Sequence, residues 1–170
     1  MKLILYMVMS VDGVAAKDAN TDIRAWSSAE DRAFFMQQAS ACDAVVMGRR
    51  SYNSEVKCDK IYLLTHDSSV SIHSGHVQIL SGDVRDIYAR IASDGNHRVA
   101  LLGGPTTNHA FLKENLVDEI FLTIEPVLLG TGLRLSSGEL DSRWILEELI
   151  PLNQEGTVVM HYQKFEETPV

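Results

Sequence analysis

The run Arg98-Val99-Ala100-Leu101-Leu102-Gly103-Gly104-Pro105-Thr106-Thr107 decides how the chain is read. Val99 to Leu102 is a short apolar run, as expected of a strand buried on both faces. It stops at two glycines. Thr106 or Thr107 then offers a hydroxyl to cap a helix, and Ala110, Phe111, Leu112 and Leu116 continue at helical spacing. The reading is strand, glycine turn, helix. Glycines there let a ligand approach the backbone, and free N–H groups at a helix start suit a phosphate. The run is neither G-x-G-x-x-G nor a P-loop, since no Gly-Lys-Ser/Thr follows, and taken alone the pair also reads as an ordinary tight turn.

Outward from this run, strands alternate with helices. Lys2 to Met9 reads as a buried strand, broken by the turn Ser10-Val11-Asp12-Gly13. Val14 to Trp26 is polar and aperiodic, a loop of the kind that covers sites. Ser27-Ser28-Ala29-Glu30 fits a capping box opening a helix to about Ala41. Asp43 to Gly48 is a second buried strand, again ending in glycine, with Arg49-Arg50-Ser51-Tyr52 at its carboxyl end. Ile61 to Thr65 is a third, followed by His66-Asp67. Val77 to Leu80 is a short strand, and Asp83 to Ser93 a helix through Val84, Ile87, Tyr88 and Ile91. After the opening run, Ile120 to Ile124 is another strand, and Glu125-Pro126 to Gly132 an irregular crossing. Trp144 to Leu152 and Thr157 to Phe165 form a hairpin through Asn153-Gln154-Glu155-Gly156, before a frayed tail. The pattern predicts an α/β three-layer sandwich, with a mostly parallel central sheet and antiparallel C-terminal strands. In such open sheets, ligands sit beyond the carboxyl ends of strands.

Bulk properties narrow the function. At 170 residues, 45% apolar and 22% charged, the chain reads as one soluble globular domain over 1–170. A net charge of −8 with no basic cluster beyond Arg49-Arg50 argues against a nucleic-acid surface. Cys42 and Cys58 form no Cys-x-x-Cys pair and fit a reducing cytoplasmic setting. The apolar run Leu3 to Met9 is short for a signal peptide, and no run approaches membrane-spanning length. The histidines show no metal-ligand spacing, and His73 and His76 in the serine-rich loop read as solvated.

Several residues at strand ends carry chemistry. Arg49 and Arg50 offer forks for phosphate, or form a solvated charge pair. Ser51 is placed to cap a short helix aimed at the same anion. His66 offers another cation, while Asp67 beside it opposes an anion unless it points away. Asp31 lies one turn into its helix, sharing a face with Phe34, Phe35 and Gln38. An acid on an apolar stripe beneath a loop has a raised pKa and can relay a proton; the other reading is a dipole-stabilised acid facing solvent. Ser10 and Asp12 fix the first turn, Trp26 reads as a hydrophobic staple or loop anchor, and Thr123 lies inside a strand.

Met9-Ser10-Val11-Asp12-Gly13, Asp43-Ala44-Val45-Val46-Met47-Gly48-Arg49-Arg50-Ser51-Tyr52, Leu102-Gly103-Gly104-Pro105, and Leu116-Val117-Asp118-Glu119-Ile120 with Pro126-Val127-Leu128-Leu129-Gly130-Thr131-Gly132 follow in order. Together they resemble the dihydrofolate reductase-like superfamily, most nearly the reductase domain of bacterial riboflavin biosynthesis, the C-terminal half of bifunctional deaminase-reductases. The resemblance spans nearly the whole chain, and no deaminase zinc motif accompanies it. It implies NADPH across the strand ends. Gly48, Arg49, Arg50 and Ser51 would hold its phosphates, Thr65 and His66 its adenosine end, and Gly103, Gly104, Pro105, Thr106 and Thr107 the pyrophosphate turn. It further implies a mobile loop over the nicotinamide at Val14 to Trp26, and a homodimer. Trp26, Asp31, Phe35 and Thr123 are similar to the tryptophan, pterin-binding acid, packing phenylalanine and backing threonine of true dihydrofolate reductases. Departures from these are Pro105 after Gly104, Asn108 in place of a tyrosine packed on the nicotinamide, and the riboflavin-type Pro126–Gly132 segment. The expected activity is hydride transfer from NADPH to a small heterocycle or a ribosylaminopyrimidine, with Asp31 and Thr123 at the chemistry. Dihydrofolate reduction is the alternative, and a nucleotide-binding module without turnover the second.

Overall fold

A computed structural model describes residues 1–165 apart from Ala19, Asn53, Ser54 and His73. The readings of His73 and of the tail beyond 165 lie outside the described residues. The elements in order are β1 (Lys2–Ser10), α1 (Ala29–Ser40), β2 (Ala44–Gly48), β3 (Ile61–Leu64), β4 (Val77–Leu80), α2 (Val84–Ser93), β5 (Arg98–Leu101), α3 (Pro105–Lys113), β6 (Glu119–Glu125), β7 (Trp144–Pro151) and β8 (Val158–Lys164). One sheet takes all eight strands in the order β4-β3-β2-β5-β1-β6-β8-β7. The five pairings from β4 to β6 are parallel, and β6 with β8 and β8 with β7 are antiparallel. The expected α/β sandwich with antiparallel C-terminal strands is thus the fold.

Alternation along the strands sends side chains to two cores. Leu3, Leu5, Val46, Val99 and Leu101 pack with Ile87 and Ile91 of α2 and Phe111 and Leu112 of α3. Ile4, Tyr6, Val45, Met47 and Ala100 form the other core, with Phe35 and Ala39 of α1. The central strands are apolar on both faces because a helix covers each face. Burying each such side chain contributes on the order of 2 kcal/mol, enough to fix the register of the strands whose ends build the site.

Three local readings are corrected. The α1 cap is Ser28, whose Oγ accepts from Asp31 N at 3.1 Å, so the capping run starts one residue later than Ser27. Neither Thr106 nor Thr107 caps α3. Gly104 occupies the cap without a side-chain bond, Pro105 takes the first helical position, and the helix stops at Lys113. Ser51 caps no helix among the described residues; it closes a 3-10 turn, Arg49–Ser51, that begins directly after β2. Among the described residues, no helix is long and apolar enough to cross a membrane, and no cluster of His, Cys, Asp or Glu could hold a metal ion.

Candidate active site

The site begins where β2 and β5 end side by side. Leu102 N donates to Val46 O at 2.9 Å and Gly48 N to Gly103 O at 2.7 Å, so the two chains stay paired past the strands. Gly103 has φ +87°, a left-handed conformation that favours glycine, and its peptide bond to Gly104 is cis. A Cβ on Gly48 would lie 2.5 Å from Thr107 Oγ1, and one on Gly104 2.9 Å from Ser51 Oγ. Gly48, Ser51, Gly103, Gly104 and Thr107 therefore touch one another. Behind them, the first turn of α3 leaves backbone N–H groups without helical partners, at the positive end of its dipole.

Charged groups from β2 and β3 flank this junction. Arg49 forms an ion pair with Asp67. Asp67 also accepts from Ser69 N at 3.0 Å and Ser69 Oγ at 2.5 Å, and the Ser69 bonds together with Arg49 hold its carboxyl below the usual range. The two charges seen in sequence as rivals at an anion site thus neutralise each other. Arg50 is exposed and has no ion-pair partner among the described residues. Thr65 Oγ1 accepts from Asp67 N at 3.1 Å, and the exposed His66 ring lies 3.5 Å from Ser81 Oγ through Nδ1.

A single cleft of about 1450 Å³ runs from these groups to α1. Gly48, Arg49, Arg50, Ser51, Thr65, His66 and the whole Gly103–Thr107 turn line it, and so do Asp31 and Thr123. Asp31 is 5% exposed and Thr123 4%. Burial pushes the Asp31 carboxyl up to about 6, the hydrogen bond from Thr123 pulls it back, and Glu125 adds a repulsive push. The apolar walls are Phe34, Phe35, Tyr6 and Phe121, with Phe121 stacked on Tyr6 at 5.1 Å between ring centres. Asp31 is therefore a buried acid, not a solvent-facing one.

The loop after β1 is less free than its sequence suggests. Val14 and Ala15 are buried. Ala15 N donates to Leu133 O, and Leu133 N to Ala16 O, each at 2.7 Å. Asp12 accepts from Ser10 Oγ at 2.5 Å, Leu129 N at 3.1 Å and Gly130 N at 2.7 Å, and the Ser10 bond, with the two backbone bonds, holds its carboxyl down at about 2. The turn after β1 and the crossing after β6 are thus one unit. Trp26 is half-buried, with its indole N–H unpaired among the described residues. Asn108 is buried outside the cleft lining, and its amide donates to Leu135 O at 3.0 Å, so it is a scaffold residue.

Comparison with known proteins fixes the family. The model of the RibD C-terminal domain matches residues 55–157. The chain belongs to the RibD C-terminal domain family. A relative in Bacillus subtilis (strain 168), the uncharacterized protein YwjB, is 29% identical over 143 residues, covering 79% of this chain and 82% of its own. A candidate riboflavin biosynthesis protein of Shewanella sp. PV-4 has the same fold, with a TM-score of 0.79 at 22% identity over 98% of this chain and all of that one. The Thermotoga maritima diaminohydroxyphosphoribosylaminopyrimidine deaminase/5-amino-6-(5-phosphoribosylamino)uracil reductase also superposes, with a TM-score of 0.79 at 14% identity. It covers 96% of this chain, which spans only 56% of that longer protein.

Sequence reasoning missed three features of this RibD-type site. Glu125 is 3% exposed beside Asp31's helix, and period-2 alternation with Thr123 was the signal for it. Glu55 receives Arg32 at 2.7 Å and Arg24 at 3.4 Å across the cleft mouth, a contact without local signal. The pairing of Ala16 with Leu133 is equally non-local.

Proposed function

We propose that this chain is an NADPH-dependent reductase that delivers hydride to a small heterocycle, most like 5-amino-6-(5-phosphoribosylamino)uracil reductase of riboflavin biosynthesis. The observation that carries the reading is one cleft joining two glycine-ended strands, an arginine-bearing turn and a buried acid backed by threonine. Membership of the RibD C-terminal domain family supports it. The junction fits a pyrophosphate, because side-chain-free backbone at Gly48 and Gly104 abuts the open N–H groups of α3. Gly48, Gly103, Gly104, Pro105, Thr106 and Thr107 would hold the pyrophosphate. Arg50 and His66, with the outer edge of Arg49, would hold the 2′-phosphate, and Thr65 and Ser51 would line the path between.

When bound, NADPH supplies the hydride. The chain's part is orientation and a proton. Phe34, Phe35 and Phe121 seat a flat ring and exclude water. Asp31, with its pKa lifted to about 6, takes up a proton far more readily near neutral pH than an ordinary carboxylate and passes it to a ring nitrogen, while Thr123 fixes the carboxyl's direction. Folate reduction is the second reading, favoured by this Asp31–Thr123 pair. A nucleotide-binding module without turnover is the third, and the buried acid argues against it. Free Cys42 and Cys58 support a reducing cytoplasmic setting, and the apolar residues on edge strand β7 support a homodimer.

NADPH oxidation with a panel of ribosylaminopyrimidines and pterins tests the reading. Turnover on a ribosylaminopyrimidine is expected. Turnover on dihydropterins alone selects the second reading, and none on any heterocycle selects the third.

A further inference from the structure

We propose that Glu125 is the positioning residue of this site: its buried carboxylate ties the N-cap of α1 to the end of β6 and to the β7–β8 turn, and so fixes where Asp31 meets Thr123. The inference rests on the reading of Asp31 as the acid of the site. Glu125 Oε1 accepts from Ser28 N, and Oε2 from Thr157 Oγ1, each at 2.7 Å. Thr157 is 1% exposed and is itself held by Asn153, whose Oδ1 accepts from Thr157 N at 3.0 Å. On the other side, Ser28 Oγ accepts from Asp31 N at 3.1 Å. A continuous chain of bonds thus runs from the β7–β8 turn through Glu125 and Ser28 to Asp31. Thr123 and Glu125 lie two residues apart on one face of β6; Thr123 reaches Asp31 in the first turn of α1, and Glu125 reaches its cap, Ser28.

A tether alone would need only a neutral acceptor. Burying a carboxylate costs several kcal/mol unless it is fully hydrogen-bonded, and here it stands beside a second buried acid. The N–H of Ser28, the cap at the positive end of α1, and the Thr157 hydroxyl offset that cost. Of the groups facing Asp31, Thr123 is neutral. On its own helix, Glu30 is exposed and Arg32 is turned to Glu55 at 2.7 Å. Glu125 is the charged neighbour that acts on it. The same side chain therefore fixes the location of Asp31 and adds to the hold on its proton that burial gives.

Two substitutions separate reach from charge. Glu125→Gln keeps an acceptor for Ser28 N and removes the charge; Glu125→Ala removes both. The test follows the Asp31 carboxyl by ¹³C NMR, its signal identified by loss in Asp31→Asn, and the exchange rate of the Ser28 amide. In Glu125→Gln the Asp31 midpoint should fall measurably, with Ser28 exchange still slow. In Glu125→Ala, Ser28 exchange should rise at least about tenfold. A purely structural residue would lower the melting temperature and leave the Asp31 midpoint unmoved, which would overturn the proposal. Unchanged Ser28 exchange in Glu125→Ala would also overturn it. If neither variant folds, Thr157→Val cuts the outer tether alone: faster Ser28 exchange supports the proposal and unchanged exchange overturns it. The readings need neither NADPH nor a heterocycle, so a failure to find turnover would sink the reductase reading while leaving this one intact.

Discussion

At Asp31, burial in a cleft that Phe34, Phe35 and Phe121 also line opposes ionisation, and the hydrogen bond from Thr123 favours it; burial wins, at about 6. Replacing it by Asn keeps the shape and removes the proton. Asp31→Asn should lose on the order of 10²-fold in turnover with NADPH affinity nearly unchanged, as read by steady-state kinetics. An acid with a raised folded pKa binds its proton more tightly in the fold, so ionised Asp31 costs stability above about 6, and the cost fades as pH falls to the unfolded value of 3.8. Asp31→Asn should therefore stabilise the protein by up to about 3 kcal/mol above about pH 6, progressively less between there and 3.8, and little below 3.8. Urea midpoints on both sides check the sign. Arg50 lacks an ion-pair partner among the described residues, so Arg50→Met should weaken NADPH binding about tenfold and leave NADH unchanged. Asp31 was legible because helical spacing set two phenylalanines beside it. Glu125 was not, because its place before Pro126 reads as the start of an irregular crossing. The Arg49–Asp67 pair was visible only as a conflict of charges, since side-chain direction in a loop leaves no periodic trace.

Among the elements, the two glycine-ended strands and the α3 turn could be read directly, because apolar runs, glycines and helical spacing are local signals. The caps were displaced because Pro105 suits the first helical position, leaving Gly104 as cap and Thr107 to pack against Gly48. The loop after β1 was legible as a loop, but its tie to the β6 crossing was not, since its partners lie more than half the chain away. That tie carries a prediction. A Cβ on Gly132 would collide with Ala16 O and meet Val14 Cγ1 at 2.7 Å, whereas one on Gly75 would have no atom of the described residues within 4 Å. Gly132→Ala should cost about 1–3 kcal/mol in urea unfolding and loosen Ala15–Ala16 from Leu133, while Gly75→Ala should be near neutral. Equal midpoints for the two variants would show that this contact does not hold the cleft's rim.

For the whole molecule, the alternation of strands and helices predicted the sandwich, but strand order depends on long-range pairing that no window of sequence carries. That order sets β1, β5 and β2 side by side, so their ends share one cleft. It also leaves β7 at an edge with Ile145, Leu146 and Leu149 45%, 49% and 53% exposed. An apolar edge of this kind favours pairing, so sedimentation should show a dimer that Leu149→Glu weakens at least about tenfold. A monomer at every concentration would remove the homodimer from the account. The central claim is that the cleft beyond the strand ends is an NADPH site. Fluorescence titration of the unmodified protein with NADPH and with NADH tests it most directly. The account predicts saturable binding at one site per chain, at least about tenfold tighter for NADPH. Equal affinities, or no saturation with either cofactor, would contradict it.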